Sequence, residues 1–308
     1  TTDRDHTILQ RLTQDLEVSG VFVNALGDYA LIFGNWGFPR LELAGAGIAT
    51  TITSFAMLVV TVVYTLLHRR YRRYHILHNF LRPDWPRFRE LFRIGMPIGI
   101  MRLAEVMLFT SAALLQGWLG EAEVAAHAIA LQLASISFMV PLGLSQAATV
   151  RVGVALGERD REGIRRAGWM ALLMTLIFMA ATGLCFLLIP GPLVGLFLDP
   201  STPVNLRPAE LAVSYLIVAG FFQLFDGTQV TMSAALRGLS DTRVPLVIAL
   251  VGYWLVGLPV SYVFCFPLGF RGVGIWMGLA AGLAAVSVVL TIRFAMRERL
   301  GLTSRIPI

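Results

Sequence analysis

The chain has 308 residues, 56% of them hydrophobic and 14% charged, with a formal net charge of +6 and a mean hydropathy of +0.71. That balance excludes a water-soluble globular domain, because apolar windows recur along nearly the whole length, as in a polytopic helical membrane protein. Strict two-residue alternation is absent, which argues against a membrane β-barrel and leaves an all-α polytopic fold.

Residues 1–17 (TTDRDHTILQRLTQDLE) are polar and mixed in charge, without the basic start and apolar centre of a signal peptide. They read as a polar leader, after which the first span opens at Val18. Eight apolar segments follow, at 18–38, 44–67, 94–119, 122–148, 167–189, 210–236, 244–266 and 272–295. Each is long enough for a helix to cross the ~30 Å hydrocarbon layer. Segment 68–93 separates the second and third as a basic linker.

Lys is absent, so every basic side chain apart from His is Arg. Segment 68–93 carries Arg69, Arg70, Arg72, Arg73, Arg82, Arg87, Arg89 and Arg93. Loop 149–166, loop 237–243 and the tail after 292 add Arg151, Arg159, Arg161, Arg165, Arg166, Arg237, Arg243, Arg293, Arg297, Arg299 and Arg305. The alternate loops hold only Arg40, Arg207 and Arg271, so the bias is nineteen to three. Cytoplasmic loops attract basic residues, which predicts that both termini are cytoplasmic. Nucleic-acid binding is not expected, since each cluster borders a span and none carries a nucleic-acid motif. Cys185 and Cys265 lie within spans, with neither metal spacing nor a disulfide framework.

An internal repeat suggests two related halves. GFPRLELAGAGIATTI (37–52) and PLGFRGVGIWMGL (267–279) align Gly45, Gly47 and Ile48 with Gly272, Gly274 and Ile275, an offset of 227 residues. Chance likeness between Gly-rich spans is the alternative. If the repeat holds, 94–300 is a complete six-span lobe and 18–67 is a two-span remnant of the other lobe. The start at Thr1 rather than Met agrees with a fragment.

Two acids stand alone near the middle of apolar stretches, Glu105 in 94–119 and Asp226 in 210–236. A carboxylate at that depth costs at least about 2.5–3.5 kcal/mol, so it normally faces a wet cavity or a partner. Together they suggest a site that holds a cation; a purely structural role is the alternative. Gln223 and Gln229 lie three residues either side of Asp226 on a similar face, and Thr110 and Ser111 follow Glu105 by about a turn or more. These are candidate supporting ligands, or polar side chains bonded to a helix carbonyl. Arg102, three residues before Glu105, can pair with it or snorkel to the membrane surface. Asp28 with Asn24 forms a third polar spot within a span. His127 reads as a helix-start or packing residue. Gly252, Gly257 and Pro259 make the seventh span bendable. No nucleophile–base pair, metal cluster or phosphate-binding Gly loop appears, so an enzyme is not expected.

Residues 92–160 resemble the MATE family of multidrug and toxic compound extrusion transporters, on the NorM-like branch. The matching features are Gly95 to Pro97, Glu105, Ala125-Ala126-His127, Phe138-Met139 with Pro141, Arg151-Val152-Gly153 and Leu156-Gly157. Gln223 to Asp226, Gln229, the run Ala235 to Gly238, and Asp241 match a second block. The resemblance covers the chain from about Val18 to the last span. It implies two six-helix bundles around a central cavity and alternating access. By the same resemblance Glu105 and Asp226 bind the coupling cation, Na⁺ or H⁺, and as Na⁺ ligands they are the metal-binding pair. No tightly bound cofactor is implied, and cationic amphipathic drugs compete for the same negative charge. NorM-like members place a Tyr where this chain has Phe222, and an apolar side chain where it has Arg102. The function implied is organic-cation efflux by antiport at a bacterial inner membrane, impaired in a chain that lacks four spans, which is expected to insert poorly or self-associate in the bilayer. The alternatives are a lipid-linked saccharide flippase of the same superfamily and a non-transporting remnant.

Overall fold

The computed structural model describes residues 2–67, 84–198 and 202–304. Among them every regular element is helical and none is a strand. The basic residues Arg69, Arg70, Arg72, Arg73, Arg82 and Arg305 lie outside the described residues. Seven helices among the described residues are long and apolar enough to cross a membrane, which makes this a multi-pass membrane protein. The chain forms two compact units, Thr1–Trp85 and Pro86–Ile308.

The first unit is a helical hairpin of α1 (Thr2–Phe33) and α2 (Glu42–Leu67). The 1–17 segment, read as a polar leader, is helical and continuous with the first span. No Gly or Pro occurs before Gly20, so nothing in the chain chemistry stops the helix at Val18. The apolar part, Val18–Phe33, is sixteen residues, about 24 Å at 1.5 Å per residue. It ends at Phe33 rather than at 38. Gly34 takes the left-handed conformation (φ 71°), and a 3₁₀ turn, Asn35–Gly37, follows. The two helices run antiparallel and approach closely where a Cβ on Gly27 would touch Ala49 and one on Gly45 would strike the Leu31 carbonyl. Outward side chains of α2 such as Ile52, Phe55 and Leu58 are exposed, as lipid-facing residues are.

The second unit is a bundle of six spans. These are α3 (Trp85–Leu119), α4 (Glu121–Gly157), α5 (Arg161–Leu188), α7 (Pro203–Gly238), the pair α8 (Arg243–Leu250) and α9 (Leu258–Cys265), and α10 (Arg271–Ala295). A short helix, α6 (Pro190–Gly195), lies between α5 and α7, and a π-helical segment, Val251–Gly257, joins α8 to α9. The residues 85–93 expected in the linker are the first turns of α3. Pro86 sits in its opening turn, where the missing N–H costs nothing. At its start α7 reaches seven residues, and α5 six, beyond the apolar windows at 210 and 167. At the head of α5 the Asp160 carboxylate accepts a bond from the Gly163 N–H at 2.9 Å.

The middle of the bundle is α7, packed by α4, α5, α6 and α10. Small residues set these approaches: a Cβ on Gly183 of α5 would lie 2.6 Å from the Gly220 carbonyl of α7. Without a strong hydrophobic drive between helices in lipid, such close backbone contact is a main source of cohesion. Opposite ends of the bundle are tied by ion pairs. Glu123 at the start of α4 accepts from Arg271 of α10 at 2.6 Å and lies 3.5 Å from Arg207 of α7. At the other end Arg293 of α10 holds Asp241, after α7, at 2.6 Å.

Candidate functional site

Glu105 projects from the middle of α3, two turns after Pro97, and Asp226 from the middle of α7. Each is 7% exposed. Both line one open cavity of about 380 Å³ between α3, α4 and α7. Its other walls are mainly apolar and aromatic, with Phe109, Phe138, Phe222 and Leu131, plus Thr110 and Ser135. An aromatic row backs it: Phe222 meets Phe109 edge-on at 6.1 Å and Trp276 of α10 at 5.5 Å. His127 extends that row, 5.5 Å from Trp276, and makes no hydrogen bond through either ring nitrogen. It is a packing residue inside α4, buried six residues past the helix start.

The carboxylates differ in their partners. Glu105 Oε2 accepts from the Arg102 guanidinium at 2.8 Å, so of the two options open to Arg102 the structure shows pairing. Glu105 Oε1 lies 3.5 Å from Gln229 Nε2, which also donates to the Tyr253 hydroxyl. Asp226 Oδ1 is buried and has no hydrogen-bond partner, and Gln229 Oε1 is in the same state. Buried oxygens without partners are rare enough to ask for an explanation, and a bound cation supplies one. A hard monovalent cation takes oxygen ligands, and Asp226, Glu105 and the Gln229 amide are of that class. Among the described residues no three His, Cys, Asp or Glu side chains cluster, so carboxylates alone would not complete a metal cage.

The other candidate residues divide. Gln229 stands between Glu105 and Tyr253, as a supporting ligand should. Gln223 does not line the cavity; its Oε1 accepts from Ser137 of α4 and from Thr182 of α5 at 3.3 Å. Thr110 lines the cavity, yet its hydroxyl donates to the Val106 carbonyl one turn back at 2.9 Å. Phe222 also lines it, without the hydroxyl that a tyrosine would bring. Asn24 and Asp28 belong to the first unit. There Asn24 donates to Thr50 of α2 at 3.4 Å, and Asp28 keeps one carboxylate oxygen buried and unpartnered.

Tyr253 was invisible to sequence reasoning. It sits in the π-helical segment, where the extra residue per turn rotates the ring inward, a feature frequent at functional sites. Gly252 and Gly257 bracketing an aromatic pair were the available signal. The Glu123 knot was also missed, although Arg207 and Arg271 were two of only three basic residues on their side.

The chain matches the MatE family profile over residues 97–263. It is 48% identical over 280 residues to the probable multidrug resistance protein NorM of Mesorhizobium japonicum, covering 91% of this chain and 60% of that one. With the protein of the same name from Brucella suis it shares 49% over 271 residues, covering 88% and 58%. The chain thus spans about three fifths of the length of these curated relatives. Its fold is similar to that of the Vibrio cholerae MATE transporter VcmN, with a TM-score of 0.81 at 18% identity over 94% of this chain and 63% of that one. The profile runs from Pro97 in α3 into α9, across both carboxylate-bearing helices, and the chain belongs to the MatE family, on its NorM-like branch.

Proposed function

We propose that this chain provides the cation-binding lobe of a multidrug exporter that expels organic cations in exchange for Na⁺ or H⁺. The observation that carries this reading is the pair of buried carboxylates in one aromatic-lined cavity, one of them with an unpartnered oxygen. A coupling ion and a cationic drug would then contend for the same negative charge, and the π faces of Phe109, Phe138 and Phe222 would add cation–π attraction for the drug. Differential binding of the two cations in two conformations is what couples their gradients. The relatives named above are multidrug resistance proteins, which agrees with this cargo. A flippase for anionic saccharide lipids would want a basic group free in the cavity. Here Arg102 is held by Glu105 and is absent from the lining.

Alternating access requires two bundles that rock about a shared site. The 308-residue chain supplies one six-span bundle and two further spans, so by itself it is expected to be impaired in export. The test is ethidium accumulation in an efflux-deficient bacterial host. A fusion that places the N-terminal part of the Mesorhizobium japonicum relative before this chain should lower accumulation in an ion-gradient-dependent way. Glu105→Gln and Asp226→Asn in that fusion should each restore accumulation to the vector level without loss of membrane insertion. Export preserved in both variants would remove the coupling role. Gradient-dependent export by the 308-residue chain alone would overturn the impairment.

A further inference from the structure

We infer that Arg102 is a tethered counter-cation that neutralises Glu105, so the cavity presents a single net negative charge, centred on Asp226, to the mobile cation. This rests on the reading of Glu105 and Asp226 as the cation site. The carrying observation is an asymmetry. Glu105 is bound at 2.8 Å by a guanidinium of its own helix, whereas Asp226 Oδ1 is buried with no partner at all. An i,i+3 spacing lets a long guanidinium side chain lie along the helix onto the carboxylate. Arg102 is a third exposed at the side chain, yet it is turned to Glu105 rather than outward.

A neutral Glu105 would need no such partner, and an ionised one would be a cation ligand in its own right. With Arg102 in place Glu105 is an ionised carboxylate whose charge is already answered, so it is not free to act as the mobile cation's ligand. The Gln229 amide completes the arrangement by approaching Glu105 through its Nε2, at 3.5 Å, while its Oε1 is left unpartnered. The oxygens open to a mobile cation are therefore those of Asp226 and Gln229. Arg237, on the same helix as Asp226, is the other basic side chain whose charge acts on Glu105, and it is unchanged in every variant below.

The formal charges give a countable consequence. Counting Glu105, Asp226 and Arg102 alone, the native site carries one net negative charge, Arg102→Met two, and Arg102→Met with Glu105→Gln one again. Asp226→Asn carries none. The probe is tetraphenylphosphonium, a monovalent organic cation, bound by the purified 308-residue chain in detergent and measured by equilibrium dialysis. Arg102→Met and Arg102→Gln should each tighten binding, by roughly tenfold for a coupling of ordinary size. Arg102→Lys, which keeps the charge, should bind as the native chain does. In the double variant Arg102→Met, Glu105→Gln the tightening gained by Arg102→Met should be lost, a reversal that loss of packing around Arg102 would not produce. Gel filtration of each variant as a single symmetric species controls for folding.

Native affinity in both Arg102→Met and Arg102→Gln would overturn the inference, as would tightening in Arg102→Lys equal to that in Arg102→Met. Those outcomes leave the cation site itself standing, provided that Asp226→Asn abolishes binding. Binding that survives Asp226→Asn, or no binding by any variant, would instead remove the site on which the inference rests.

Discussion

Glu123 is 2% exposed, between a close arginine, Arg271, and a more distant one, Arg207. The acid is dry while both guanidinium groups are more than half in water. The two sides of the knot should therefore respond unequally to substitution. Removing Arg271 strands a buried carboxylate, which costs about 3–5 kcal/mol when burial is complete. Solvent around the arginine reduces that to about 1–2 kcal/mol here. Arg271→Ala should lower the melting temperature in detergent by about 2–8 °C, and Glu123→Gln by less, because it returns both arginines to water. A larger loss in Glu123→Gln would show that the carboxylate is not the costly partner. At this scale the sequence was informative wherever a charge interrupted an apolar run. Glu105, Asp226 and Arg102 all stood out in that way, although the sequence left Arg102 open between pairing and snorkelling. Gln223 was not, because residues three before and three after Asp226 are equivalent on a helical wheel. Which of them meets the cavity depends on the neighbouring helix, and Ser137 and Thr182 draw Gln223 away.

At the scale of elements, the α8–α9 span and α10 touch through glycine. A Cβ on Gly278 would lie 2.2 Å from the Ser261 backbone nitrogen, and one on Gly282 would lie 2.7 Å from the Gly257 Cα. Backbone cannot yield as a flexible side chain can. Gly278→Ala should cost about 1–3 kcal/mol as an overpacking change. Gly143→Ala in α4, where an added Cβ meets nothing within 4 Å, should be neutral or slightly stabilising through helix propensity. Thermal melts of the two variants side by side decide this, and equal stability would mean that the α9–α10 approach is not tight in solution. The same contact explains what the seventh span looked like in sequence. Gly252, Gly257 and Pro259 suggested a bend, and the structure has a π-helical segment at Val251–Gly257 with Pro259 in the opening turn of α9. Helix existence was readable from hydropathy, and helix ends were not. Hydropathy marks the part of a helix that lies in hydrocarbon, whereas α3, α5 and α7 begin in polar turns that lie outside it.

For the whole molecule, the arrangement across the membrane follows from how many arginines each set of loops carries. The three arginines of the alternate loops are all paired in the structure: Arg40 with Glu42 at 3.5 Å in the first unit, and Arg207 and Arg271 with Glu123 in the second. In the second unit the loops after α4 and α7 and the tail after α10 also hold paired arginines, Arg165 and Arg166 with Glu162, Arg293 with Asp241 and Arg297 with Glu298, but they carry many more arginines than the turns on the alternate side. A membrane potential that is negative inside holds such loops in the cytoplasm, and moving one charge across costs about 2.3 kcal/mol per 100 mV. The expected topology therefore places the turns at 157–161 and 239–242 in the cytoplasm and those at 119–121 and 266–270 outside it. Cysteine labelling tests this on a background of Cys185→Ser and Cys265→Ser. Glu121→Cys and Leu268→Cys, at exposed positions, should react with a membrane-impermeant maleimide in spheroplasts. Glu158→Cys and Ser240→Cys, also exposed, should react only after the membrane is opened. The reverse pattern would mean that the arginine bias does not set the orientation. Labelling of all four in sealed spheroplasts would mean that the chain lacks a single orientation when it is expressed without the remaining two fifths of its relatives' length.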